Sequence, residues 1–234
     1  MNALANLSLE SLSVTAGHME KINGLKPRPL KALKPEDVYV RGMRLVGDKV
    51  TAHFGKMRTS DLPHVAALTV GAPVLVGHQK QSRPIGRFFD ARVEANFVIA
   101  PFFVPATRSD AKDLMTDIDS GVASEASISF AFTQPTCSAC GKDMRSMACE
   151  HYPGRDAVFF YFDGVTRVLE GSIVYRGAHP DTGFVTLGQM EAALALDEDW
   201  RALTQKGQRK RRVFVMGGRR VWRETREAAM SREQ

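Results

Sequence analysis

The chain has 234 residues, 44% of them hydrophobic and 25% charged. That balance belongs to a globular protein with a real core and excludes a disordered or fibrous chain. The net charge of +6 is concentrated late: nine of the 32 Lys and Arg fall within residues 206–226, so the chain as a whole does not read as a nucleic-acid binder.

No run of eighteen apolar residues exists, so no membrane-spanning helix is expected. The start, Met1-Asn2-Ala3-Leu4-Ala5-Asn6, lacks the basic and apolar blocks of a secretory signal. Residues 1–27 show no strong period and read as a flexible N-terminal arm. Val38 to Val46 reads as a strand, with Val50-Thr51-Ala52-His53-Phe54 as its hairpin partner across Gly47-Asp48. Ser60 or Asp61 can cap a short helix through Leu62, Val65, Ala66 and Leu68, which Gly71 ends. Pro73-Val74-Leu75-Val76 is the next strand. Arg87–Glu94 and Phe97–Ala100 follow as two more, with Asn96 at their turn.

Ser109 is a good N-cap, and Ala111, Leu114, Met115 and Ile118 recur at helical spacing on one face; Gly121 is a good stop. Val122–Phe132 returns to strand, and Ala157–Phe162 and Val165–Val174 supply two more. An amphipathic helix is expected over roughly Thr186–Leu203, followed by the basic tail. Strands dominate, so the expected class is α+β: a β-rich barrel or sandwich with two or three flanking helices. The expected organisation is an arm (1–27), a main domain (28–189) with an insertion at about 134–156, and a helical, basic C-terminal tail (190–234).

The insertion carries all three cysteines, as Cys137-x2-Cys140-x8-Cys149-x-His151. A Cys-x-x-Cys puts two thiolates on one tight turn, which Gly141 permits, and Cys149 with His151 can close a tetrahedron. An odd, clustered set of cysteines is no disulfide framework. Four soft or borderline ligands with no open position point to a structural rather than catalytic zinc. Lys142, Arg145, His151 and Tyr152 of this knuckle are available to a partner.

Two further segments stand out. Gly77-His78-Gln79-Lys80-Gln81-Ser82-Arg83-Pro84-Ile85-Gly86-Arg87 places a histidine at the end of an apolar strand. Ala126-Ser127-Ile128-Ser129-Phe130 places a serine within a small-residue strand. A serine becomes a nucleophile when a base takes its proton, and histidine is the usual base. A third segment, Val168-Leu169-Glu170-Gly171-Ser172-Ile173-Val174, is followed by Gly177-Ala178-His179-Pro180.

In this order and spacing, over about residues 38–185, the three segments resemble the prohead proteases of tailed bacteriophages, distant relatives of the herpesvirus assemblins. The resemblance implies an assemblin-like fold and a serine endopeptidase of capsid maturation, encoded by a phage or a prophage-derived copy. It would be packaged in the procapsid interior within the bacterial host cytoplasm. Its substrates would be the scaffold and the N-terminal region of the major capsid protein, and it would process itself; self-association is open. Ser127 would attack, His78 would take and return the proton, and Glu170 would orient the imidazolium.

The family's glycine after Ser-Ile is Ser129 here, which makes Ser129 a rival nucleophile and Ser124 a weaker one. Ser172 and His179 are alternatives to Glu170, and Arg167 or Arg176 offer Glu170 a plain ion pair instead. Backbone N–H groups near Gly171, or Arg167, are candidates for an oxyanion hole. Two other readings stand beside the enzyme. One is a non-catalytic procapsid core or assembly protein that binds through knuckle and tail. The other is a zinc-dependent nucleic-acid binder.

Overall fold

The computed structural model describes residues 14–185 and, as backbone alone, residues 211–216 and 219–224. The chain divides into two compact units, Met1–Met190 and Glu191–Gln234. Among the described residues no helix is long and apolar enough to cross a membrane.

The first unit is an α+β fold built on one curled sheet, a half-barrel. Its strands are β1 (Val38–Gly47), β2 (Gly55–Lys56), β3 (Pro73–Val76), β4 (Gly86–Phe88), β5 (Arg92–Glu94), β6 (Phe97–Pro105), β7 (Glu125–Cys137), β8 (Phe160–Val174) and β9 (Gly183–Val185). The order is β2-β8-β3-β4-β6-β1-β9, with β5 added to β6 and β7 added to β8. Three helices flank it: α1 (Ala16–Gly24), α2 (Leu62–Thr69) and α3 (Ala111–Asp119).

β1 shows how one strand serves two cores. Val38 and Val40 point to one face, where they meet Met19, Ile22 and Leu25 of the α1 region together with Phe89, Ile99 and Phe103. Met43 and Leu45 point to the other, where the main core holds Leu62 and Val65 of α2, Met115 and Ile118 of α3, Phe88 and Phe102. A bulge between Arg44 and Val46 adds Val46 to the same side. Phe88 and Phe102 are fully buried and meet edge to face at 6.0 Å. Truncating either to alanine would cost about 3–5 kcal/mol.

Several expectations need correction. Part of the supposed arm is α1, capped by Thr15: its Oγ1 accepts from the His18 N–H, and His18 Nδ1 accepts from the Thr15 N–H. The helix buries only Met19 and Ile22, too short a stripe to show a period. Val50–Phe54 is not the partner of β1, which pairs with β6 and β9 instead. The α3 cap position is Asp110 rather than Ser109, and no side chain bonds there, because the Asp110 carboxylate is held by Arg108.

β7 starts at Glu125 and runs on to Cys137, and the two strands expected after it are one, β8. Gly164, at φ 68°, and bulges in the β7–β8 ladder near Phe130 and Phe132 interrupt the pattern without ending the strand. The expected helix over Thr186–Leu203 lies outside the described residues. The tail, expected to be helical, contains a hairpin of β10 (Arg211–Met216) and β11 (Arg219–Glu224); alternation in Val213, Val215, Val221 suits strands.

Candidate functional site

Three strands bring the sequence motifs together. β3 runs parallel to β8 and aligns Val74, Leu75 and Val76 with Gly171, Ser172 and Ile173. β7 lies antiparallel on the other side of β8, setting Ser127 opposite Ser172 and Ser129 opposite Glu170. His78 follows the end of β3, two residues beyond Val76, which is level with Ile173, and the intervening Gly77 N–H donates to Ile173 O. Ser127, opposite Ser172, is level with Leu75 of β3.

The Pro84-Ile85-Gly86-Arg87 motif holds the loop that presents His78. The Ile85 N–H donates to Val74 O, closing the loop onto β3. A Cβ on Gly86 would collide with the Phe103 carbonyl, so only glycine lets β4 approach β6 this closely. Arg87 donates to the carbonyls of Lys26, Pro27 and Gly71, tying down the segment after α1.

His78 sits in the left-handed region at φ 57°, a conformation that costs a non-glycine residue about 1–2 kcal/mol. Its ring Nδ1 lies 2.7 Å from Glu170 Oε1, and its side chain is 40% exposed while that of Glu170 is 2% exposed. An ionised carboxylate only accepts, so the proton sits on Nδ1 and Nε2 carries the free lone pair. Ser172 completes the arrangement. Its hydroxyl donates to Glu170 Oε2 at 2.7 Å and accepts the His78 N–H at 3.1 Å. Both oxygens of the buried carboxylate are thus satisfied, and the strained His78 backbone is pinned. Neither Arg167 nor Arg176 is hydrogen-bonded to Glu170.

Ser127 is buried at 7% exposure, and among the described residues its hydroxyl is committed to no hydrogen bond. It lines a groove of about 230 Å³ beside β7, together with Ser129 and Phe130 of β7, Leu45 and Val46 of β1, and His53 and His179. His78 and Glu170 are not in the lining. Ser124 is exposed just before β7 and outside the groove.

His179 has a different task. Its Nε2 accepts the N–H groups of Gly47 and Lys49, and its Nδ1 donates to Pro180 O. Both ring nitrogens are spent on backbone, and burial pushes its pKa below the ordinary value. Gly171 has a strand on each side, at Val74 and Ile128, which leaves its N–H no open side for an oxyanion. Arg167 is exposed and opposite Ala131, four residues along β7 from Ser127, or about 13 Å.

The second cluster lies at the far end of the β7–β8 ribbon. Ligand atoms of Cys137, Cys140, Cys149 and His151 lie within 4.8 Å of one another and could hold a metal ion. Cys140 and Cys149 sulfurs are 3.7 Å apart, and Cys149 Sγ is 4.0 Å from His151 Nδ1. A tetrahedron with metal–sulfur bonds of about 2.3 Å has edges of about 3.7–3.8 Å, so the geometry fits a closed four-ligand site. Gly141 takes φ 71° to turn the Cys-x-x-Cys loop, and its N–H donates to Cys137 O. Burial pushes the Cys137 thiol up, but the N–H groups of Cys140 and Ala139 outweigh it and bring the pKa below the usual value. At Cys149 the His151 N–H favours the thiolate, but burial and the neighbouring thiols win and raise the pKa. From Ser127 to Cys137 is ten residues of one strand, about 33 Å, so this cluster cannot serve chemistry at Ser127.

Ser172 as a bridging residue is what sequence reasoning weighed only as an alternative to Glu170. The small-residue spacing Glu-x-Ser on one strand face was the available signal. Comparison with protein-family models, with curated proteins and with solved structures finds no match to this chain.

Proposed function

We propose that this chain is a serine endopeptidase of the phage capsid-maturation kind, acting on scaffold and major capsid protein inside the procapsid. The observation that carries the reading is the His78–Glu170 pair at 2.7 Å, braced by Ser172, one strand away from an uncommitted Ser127. Ser127 Oγ attacks the scissile carbonyl carbon as its proton passes to His78 Nε2. Glu170 balances the imidazolium. His78 then gives that proton to the leaving amine, and a water, deprotonated in turn by His78, releases the acyl group and restores Ser127. An assemblin-like fold belongs to the same proposal, and so does zinc as the ion of the Cys3His cluster, in a structural role.

Co-expression with scaffold and capsid protein, followed by intact mass spectrometry, tests the reading. Defined cleavage is expected with the wild type and with Ser129→Ala, and none with Ser127→Ala or His78→Ala. Cleavage that survives Ser127→Ala would remove the assignment.

One observation favours a second reading, a non-catalytic assembly protein. Exposed apolar bulk gathers on the knuckle, at Met147 and Tyr152, with Arg155 stacked on the Tyr152 ring at 4.6 Å. Unchanged masses in all four samples, with particles formed, would favour it.

A further inference from the structure

The basic tail has no part in the proposed function. Of the nine Lys and Arg in residues 206–226, five fall within the hairpin of β10 and β11, where Glu224 is the single acidic residue. Gly217-Gly218, between the strands in sequence, is a pair that two-residue hairpin loops favour.

Opposite positions of an antiparallel ladder share a face, and successive positions alternate. One face therefore carries Arg211 with Glu224, Val213 with Trp222, and Val215 with Arg220. The other carries Arg212 with Arg223, Phe214 with Val221, and Met216 with Arg219. The faces differ in how charge is balanced. On the first, the only pair of two charged residues is complementary, Arg211 opposite Glu224. On the second, three arginines stand with no acidic position, and two of them are directly opposed. Like charges directly opposite destabilise a ribbon, and a two-stranded hairpin alone is marginal in water. An anion laid along this face offsets the repulsion and stabilises the hairpin by binding its folded form.

The arginines narrow the choice of anion. Seven of the nine basic residues are Arg, whose planar fork matches phosphate oxygens two at a time. Arg219 and Arg223 lie four residues apart along β11, about 13 Å. Duplex nucleic acid carries a charge every ~1.7 Å of its axis, so a phosphate meets such a spacing in any register. A ribbon of two strands about 4.8 Å apart also fits a major groove about 12 Å wide. Single strands are held by successive stacked aromatics, and this face has only Phe214.

We infer that the hairpin face carrying Arg212, Arg223 and Arg219 binds the phosphate backbone of duplex nucleic acid. The contact reads charge rather than base sequence, and it needs neither Ser127 nor the Cys3His cluster.

Fluorescence anisotropy on the full chain tests this, with Ser127→Ala present so that self-processing cannot remove the tail. Two short DNA duplexes of unrelated sequence should bind alike. Arg212→Gln with Arg223→Gln should weaken binding at least about tenfold at about 50 mM salt. It should also flatten the slope of log K against log salt by about 1.8, the equivalent of two phosphate contacts. This variant removes a repulsion within the hairpin, so its loss of binding is not a loss of the hairpin. Arg211→Gln with Arg220→Gln removes the same charge from the other face and should weaken binding less than about threefold. Cys140→Ser should bind as the parent does. Equal losses in the two double variants would reduce the tail to a plain charge run and overturn the inference. So would tighter binding of poly-glutamate or of single-stranded DNA than of duplex, loss of binding in Cys140→Ser, or no salt-dependent binding at all.

Discussion

At Ser172 two hydrogen bonds converge on one hydroxyl, and its removal isolates what they do. Ser172→Ala leaves one carboxylate oxygen buried without its donor and frees the His78 backbone. About 1–1.5 kcal/mol per bond predicts a roughly tenfold or greater fall in kcat/KM. Glu170→Gln keeps the volume but loses the charge opposite the imidazolium, so a loss on the order of 10³–10⁴ in kcat is expected. Equal, small losses for both variants would reduce both residues to packing.

His179 titrates against stability instead. Burial lowers its folded pKa, whereas the unfolded chain takes up the proton near the ordinary 6.5. The unfolded state therefore binds more protons as pH falls. The stabilisation is full above pH 6.5 and is lost as pH drops through 6.5 toward the lowered folded value. Asp181 nearby works against the shift and Lys49 with it. Urea midpoints measured from pH 7.5 to 5 should fall, and fall less steeply in His179→Gln, which keeps an acceptor for Gly47 and Lys49 but does not titrate. Parallel slopes would contradict this. The meeting of His78 with Glu170 was legible because their chemistry and order are distinctive. The role of His179 was not, because two backbone N–H donors from a distant strand end leave no trace in its local sequence.

Among elements, β1, α2, β3 and α3 stand close to where the apolar pattern puts them. What escaped was set by distant partners. α1 forms because Val38, Val40 and Phe103 offer its short stripe a surface. β8 stays one strand because β7 pairs along nearly its whole length. Gly171 shows the same dependence on packing. A Cβ there would stand 2.5 Å from the Phe88 ring. Gly171→Ala must displace a fully buried phenyl group or bend β8 between Glu170 and Ser172. Overpacking of about 1–3 kcal/mol should lower the melting temperature by about 2–12 °C. An unchanged melting temperature would mean that the ring moves freely.

On the scale of the whole molecule, the β7–β8 ribbon keeps Ser127 and the Cys3His cluster about 33 Å apart. Bound zinc should appear at one ion per chain by elemental analysis and fall in Cys140→Ser. Chelation should expose residues 138–159 to proteolysis, because binding free energy is folding free energy in a small metal-held loop. Fluorophosphonate labelling of Ser127 should persist through that treatment. Its loss in step with the metal would mean that the cluster supports the Ser127 end of the ribbon after all. The cysteine spacing made this centre readable from the sequence. Its separation from Ser127 emerged only from the length of the paired strands.

Cys137 and Phe160 face each other as ladder partners at the end of that ribbon, so the intervening chain departs from and returns to the same place. The gene segment for residues 138–159 is thus a cassette. It can be exchanged for a tight hairpin turn, or for an unrelated binding module, without shifting the reading of Ser127 against Ser172. Sequence can diversify there while the register of Ser127 against Ser172 is held constant.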